Sequence, residues 1–326
     1  MSNPPRWAFP ETLQPDGEAL TPGLERALAS AVLLRSEVPE EAFTASILGT
    51  ERAGNGIVIG PHGLVLTIGY LMAEARSLWL TTAEGAVMQA TPLAYDFATG
   101  FGLVQPLGHL TVAPVPRGRA ADVTPGTGVF VVGHGGRAHC LKAEVFAARE
   151  FAGYWEYVLD RALYTVPAHP QWGGTGLFDA EGRLLGIGSL LVQEPGAGED
   201  QATQGNLFVP IDLLEPMFED LLAHGQSLRP PRPWLGMYTV ESDDGLAVGS
   251  VAPDSPAGRA GVEEGDVVIE VAGQRPAGLA DLFRRIWALG PAGVDVPLTI
   301  ARDDQLLRLT VRSADRDDFL LKPRLH

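Results

Sequence analysis

Few stretches of this 326-residue chain carry side chains that could do chemistry. One is PQWGGTGL, Pro170 to Leu177, where an indole (Trp172) and a hydroxyl (Thr175) sit among glycines, just after His169. Another is Gly133-His134-Gly135-Gly136, followed by His139 and Cys140. Two imidazoles and a thiol are zinc-ligand types. Their spacing matches no compact zinc motif and no fourth ligand lies nearby in the sequence, so an ordinary polar loop is expected, with no metal and no cofactor. The same glycines lack the lysine of a phosphate loop. Cys140 is the sole cysteine, so an internal disulfide is excluded.

The elements that must position these groups are mostly strands. From about Ala29 to Val209 short β-branched and apolar runs alternate with turn residues, as in GNGIVIG, GLVLTIG, TGVFVVG and GRLLGIGSLLV. Turns at roughly ten-residue intervals predict barrels or a sandwich. Residues 1–25 are Pro-rich and polar and read as an extended arm. IDLLEPMFEDLLAHG (211–225) has helical spacing, with Asp212 as its expected cap and Gly225 as its stop. GQSLRPPRP then reads as a linker. A second unit follows, in the order strand, strand, short helix, strand, helix, strand, strand, and the tail ADRDDFLLKPRLH reads as a solvated end. The expected division is an arm at 1–28, a first domain at 29–225, a linker at 226–233, a second domain at 234–315 and a tail at 316–326.

A formal charge of −16 repels phosphate backbones and anionic lipids, so neither nucleic acid nor membrane is an expected partner. The amino terminus shows no apolar run of the kind a signal peptide carries, which leads to an expectation of a cytoplasmic chain.

The second unit resembles a PDZ domain. The resemblance rests on PDSPAGRAGVEEGDVVIEVAGQ (253–274), in which Ser255 can cap a short helix and Gly265-Asp266 turns the chain into a strand. PDZ domains add an extended peptide to a sheet edge and hold its terminal carboxylate on backbone N–H groups. The resemblance implies a carboxylate loop at Trp234-Leu235-Gly236-Met237, an accepting strand at Met237-Tyr238-Thr239, and a groove closed by Leu279, Phe283 and Ile286. From sequence, Leu279 and Phe283 fit a groove wall and a buried core equally well.

The first unit together with the PDZ segment, about residues 29–315, resembles the HtrA/DegP family of trypsin-like serine proteases. The implied fold class is mainly β: a chymotrypsin-like double β-barrel followed by an α+β PDZ domain. The family's histidine falls on Tyr70, after Gly63-Leu64-Val65-Leu66-Thr67-Ile68-Gly69. Its aspartate falls on Gly100 within Asp96-Phe97-Ala98-Thr99-Gly100-Phe101-Gly102-Leu103-Val104. Its serine falls on Gly173 within His169-Pro170-Gln171-Trp172-Gly173-Gly174-Thr175-Gly176-Leu177. A triad needs a nucleophile, a base and a group that orients the base. Gly173 has no side chain, a phenol with a pKa near ~10 is a poor base at neutral pH, and Gly100 orients nothing. A backbone oxyanion hole is the part that could remain.

These positions lead to the expectation of a non-enzyme: an inactive serine-protease homologue that binds protein or peptide segments, C-terminal ones included, through its PDZ domain. A hydrolase with a rearranged site, using Thr175, and an assembly factor for another enzyme, using the His134 loop, stand as alternatives. The family also implies a homotrimer, or a mixed oligomer with an active homologue, with Trp7 and Phe9 as candidate contacts.

Overall fold

A computed structural model describes residues 7–18, 20–194, 203–243 and 245–322. They fall into two compact units, the first of residues 1–149, 161–227 and 321–326, the second of residues 150–160 and 228–320.

The first unit is built on two closed barrels. Strands β1 (Ala31–Glu37), β2 (Glu51–Val58), β3 (Val65–Ile68), β4 (Ser77–Thr81), β5 (Val87–Tyr95) and β6 (Phe101–Pro106) close in the order β1-β2-β3-β6-β5-β4. Strands β7 (Gly128–Val132), β8 (Cys140–Gly153), β9 (Tyr157–Val166), β10 (Gly176–Phe178), β11 (Leu184–Glu194) and β12 (Thr203–Pro210) close as β10-β11-β12-β9-β8-β7. Alternation does the sorting. In β1, Val32, Leu34 and Ser36 are buried while Arg35 and Glu37 face water, the period of two that a half-buried strand imposes. Leu34, Ile57, Leu66, Leu80 and Leu103 fill the first barrel, and Leu141, Phe178 and Phe208 the second.

Three expectations change here. The stretch read as an extended arm ends in helix α1 (Pro22–Ser30): Thr21 accepts the Leu24 N–H at 3.1 Å, Pro22 fits the first turn, and Leu24, Ala27 and Leu28 are buried. A short helix, α2 (Ala45–Leu48), lies between β1 and β2. The single helix expected at 211–225 is instead two 3₁₀ turns, Ile211–Leu213 and Glu215–Met217, and then α3 (Phe218–His224). Pro216 sits where a continuous helix would need its N–H, and the ring blocks the preceding turn. Asp212 caps no helix; its carboxylate accepts the N–H groups of Ala120 and Ala121. Gly225 does stop α3, in the left-handed conformation at φ 71°.

The second unit carries a five-stranded sheet, β13 (Met237–Ser242), β14 (Gly245–Val251), β15 (Val267–Val271), β16 (Asp295–Arg302) and β17 (Gln305–Arg312), in sequential order, so β13 is an edge. Helix α4 (Pro256–Arg259) is capped by Ser255, whose hydroxyl accepts the Gly258 N–H. Helix α5 (Leu279–Ala288) buries Leu279, Leu282, Phe283 and Ile286, one stripe at helical spacing, against the sheet. Asp266, 1% exposed, sits beside Arg302, which donates to both its oxygens at 2.7 and 2.8 Å. The segment read as a solvated tail is tied down. Asp315 caps a 3₁₀ turn at Arg316–Phe319, and the Phe319 ring lies 4.7 Å from Trp234.

Candidate peptide-binding site

The expected carboxylate loop begins at Trp234, whose N–H and C=O pair with Ala314 at 3.0 Å each. Gly236 adopts φ 73°, and a Cβ there would lie 2.4 Å from Cβ of Ser255, so only glycine fits this turn beside α4. The turn aims three consecutive N–H groups at one place, and a carboxylate lies there. Glu156 Oε1 accepts from Gly236 at 2.7 Å and Met237 at 3.1 Å, and its Oε2 accepts from Leu235 at 3.0 Å. Burial raises the Glu156 carboxyl to about 7 even though these N–H groups and Arg316 pull it down. Next along the edge strand, the Thr239 N–H donates to the Tyr154 carbonyl at 3.2 Å. The Tyr154 and Tyr238 rings meet edge-on at 6.0 Å. Leu235, Met237, Tyr238 and Thr239 are buried, and Leu279 and Phe283 belong to the core cluster of this unit.

The sequence pointed to the N–H donors but not to the acceptor. Glu156 stands at the tip of the β8–β9 hairpin, about eighty residues away in the chain, at a left-handed φ of 62°. Nothing in YWEY marks it as a carboxylate held by a distant loop.

In the first unit, Tyr70 lies in a 3₁₀ turn after β3, and its hydroxyl donates to the Ser189 carbonyl at 2.9 Å. Burial pushes this phenol well above its ordinary value. A Cβ on Gly173 would lie 2.8 Å from the Tyr70 oxygen, so the phenol occupies the space that a side chain at 173 would enter. Gly100 closes a turn at φ 83°, its N–H donating to the Asp96 carbonyl and its carbonyl accepting from the Gly69 N–H, both at 2.7 Å. The Asp96 carboxylate accepts from the N–H and hydroxyl of Thr99.

Asn55 holds the loop of residues 171–173. Its N–H donates to the Gly173 carbonyl at 2.8 Å, its side-chain amide to the Gln171 carbonyl at 2.9 Å, and its Oδ1 accepts from the His134 N–H at 2.8 Å. The Gln171 N–H, one candidate donor for an oxyanion hole, points instead at His169 Nδ1, 3.1 Å away. That contact fixes the tautomer: Nδ1 accepts, and Nε2–H donates to the His139 carbonyl at 3.1 Å. Burial lowers His169 to about 4, so it stays neutral. The buried Thr175 hydroxyl donates to the Trp172 carbonyl at 2.8 Å, within its own loop.

The His134, His139 and Cys140 side chains go separate ways. His134 Nε2 lies 3.0 Å from the Thr82 carbonyl, the His139 ring packs 4.4 Å from Trp7, and burial pushes the Cys140 thiol up to about 12. Among the described residues no three metal-ligating side chains gather. Trp7 and Phe9 pack against each other and on His169 at 5.5 and 5.1 Å, within their own chain. The acidic loop of residues 193–204 lies largely outside the described residues.

Two six-stranded closed barrels followed by this sheet and N–H loop define a trypsin-like peptidase fold joined to a PDZ domain. Residues 54–187 match the family described as a trypsin-like peptidase domain, and residues 233–312 match the PDZ domain family. A probable periplasmic serine endoprotease, DegP-like, from Halomonas elongata is 25% identical over 285 residues, covering 81% of this chain and 57% of that protein. The serine endoprotease DegS of Haemophilus influenzae is 22% identical, covering 81% of this chain and 77% of its own length. Among solved structures, the HtrA-type protease AlgW with a tripeptide superposes with a TM-score of 0.54 at 17% identity, covering 92% of this chain and 97% of the other. A serine endoprotease from Yersinia pestis does so with a TM-score of 0.53 at 18% identity, covering 90% and 96%. The chain is thus similar to the HtrA-like proteases in joining a trypsin-like peptidase domain to a PDZ domain.

Two expectations are corrected by these relatives. The expectation of a non-enzyme, built on Tyr70, Gly100 and Gly173, is overturned by relatives named serine endoproteases, DegP-like and DegS among them. The cytoplasmic expectation is overturned by relatives named periplasmic, which point to the periplasm or envelope. It rested on where the sequence begins, and that carries no information about compartment.

Proposed function

We propose that this protein captures extended protein segments that end in a free carboxylate, using Leu235, Gly236 and Met237 as the carboxylate loop and β13 as the strand to which the segment adds. One observation carries the reading: three successive N–H groups converge on a single carboxylate at the end of an edge strand. Backbone donors of this kind select for charge and for a chain end, and the buried Leu279 and Phe283 behind them favour an apolar last residue. The envelope location of the relatives makes exported or membrane-anchored proteins the proposed clients.

The test immobilises the full chain and offers it a pool of decapeptides randomised at the last three positions, as free acids and as amides. Free acids should be recovered in excess. Equal recovery of acids and amides overturns the proposal. The same incubations, followed for new amino termini, read out cleavage of captured chains. The homotrimer or mixed oligomer implied by the family is part of the proposal, and sedimentation of the chain at micromolar concentration tests it.

A further inference from the structure

The carboxylate loop of the second unit is already filled, and by this chain's own side chain. Glu156 satisfies all three N–H groups, and two residues earlier the Tyr154 carbonyl takes the N–H of Thr239, two residues further along β13. The opposite sense of the two steps means that the hairpin tip runs antiparallel to the edge strand, as an added segment would. A left-handed φ at a non-glycine residue is unfavourable, and Glu156 holds one at the position from which its carboxylate reaches the loop.

The tip is fastened from both legs. Arg284 of α5 pairs with Glu150 before the tip at 2.6 Å and with Asp160 after it at 2.5 Å. Arg316 donates to the Trp155 carbonyl at 3.3 Å, and Val158 is part of the core cluster beneath the sheet.

We propose that the tip Tyr154-Trp155-Glu156 is a built-in competitor for this site, the Glu156 side-chain carboxylate standing in for the terminal carboxylate of a peptide, so that the groove admits an external chain end only when the tip leaves. The inference rests on the peptide-binding reading above and adds its regulation. A tethered competitor acts at a high effective concentration, so the apparent affinity for an external carboxylate is reduced by the fraction of molecules in which the tip is docked.

The test uses the full chain and its Glu156→Gln variant, which keeps the side chain's size and removes its charge. The probe is a fluorescein-labelled decapeptide ending Tyr-Trp-Val, as free acid and as amide, followed by anisotropy. The ending copies the tip's Tyr154-Trp155 and closes on an apolar residue. In parallel, hydrogen exchange reads the protection of amides 235–237 without any peptide.

The expected result is binding of the acid about tenfold or more tighter to the variant than to the parent, with the amide bound poorly by both. Amides 235–237 should also exchange faster in the variant. Equal acid affinities and equal exchange overturn the inference, while a preference for acid over amide would still uphold the peptide-binding reading. If neither protein prefers the acid, that reading fails, and the inference that rests on it falls with it.

Discussion

The proton on Glu156 gives a way to weigh the docked hairpin. In the unfolded chain this carboxyl has its ordinary value of 4.5, and in the folded protein burial raises it to about 7. The folded state therefore holds the proton more tightly. The resulting stabilisation is fully present below about pH 4.5 and is lost as pH rises through about 7. Each tenfold change in proton affinity is worth about 1.4 kcal/mol, so the whole displacement amounts to at most about 3.5 kcal/mol. The other groups facing the carboxyl are Arg316 and the phenol of Tyr238. A guanidinium keeps its charge throughout this window, and burial pushes the Tyr238 phenol up, away from it.

The perturbation is Glu156→Gln, which has no proton to lose. The assay is urea unfolding of both proteins from about pH 4 to about pH 8, with hydrogen exchange across residues 234–252 reporting the second unit. The stability of the parent minus that of the variant should fall with rising pH, by a few kcal/mol and mostly between about 4.5 and 7. A flat difference would mean that the carboxyl is solvated in the folded protein, and one that grows with pH would mean that the N–H groups hold it charged; either would refute the reasoning.

Two further outcomes test the packing. Gly174→Ala places a Cβ 1.8 Å from the Asn55 carbonyl oxygen at a φ of 75°, so the loop of residues 171–175 must deform. The first unit should lose about 3 kcal/mol or more, seen as an earlier transition in thermal unfolding, and an unchanged midpoint would contradict the described loop. Phe283→Ala removes a fully buried ring from the second unit's core and should cost that unit about 3–5 kcal/mol in urea unfolding. A cost below about 1 kcal/mol would place Phe283 on a groove wall rather than in the core.

Much of the fold was legible because its causes are local. Ser255 caps α4 and Gly265 turns at φ 91° because neighbouring backbone groups demand it, and both sit inside one ordered motif. The barrel strands announce themselves through alternation and turn residues. Even some of the misread elements have local causes: Pro216 breaks its helix by its own chemistry, and Thr21 with Pro22 starts α1.

The site divides along the same line. The three N–H donors at 235–237 follow from a left-handed Gly236 that only glycine can supply, and the sequence alone determined that much. Tertiary structure decided what meets them. Glu156 reaches the loop from a hairpin tip about eighty residues away, and the Tyr70 hydroxyl comes to lie where a side chain on Gly173 would go. Such meetings depend on how packed strands place their ends in space. No pattern of neighbours along the chain encodes that placement, because the energy fixing it is spread over two barrels and a sheet.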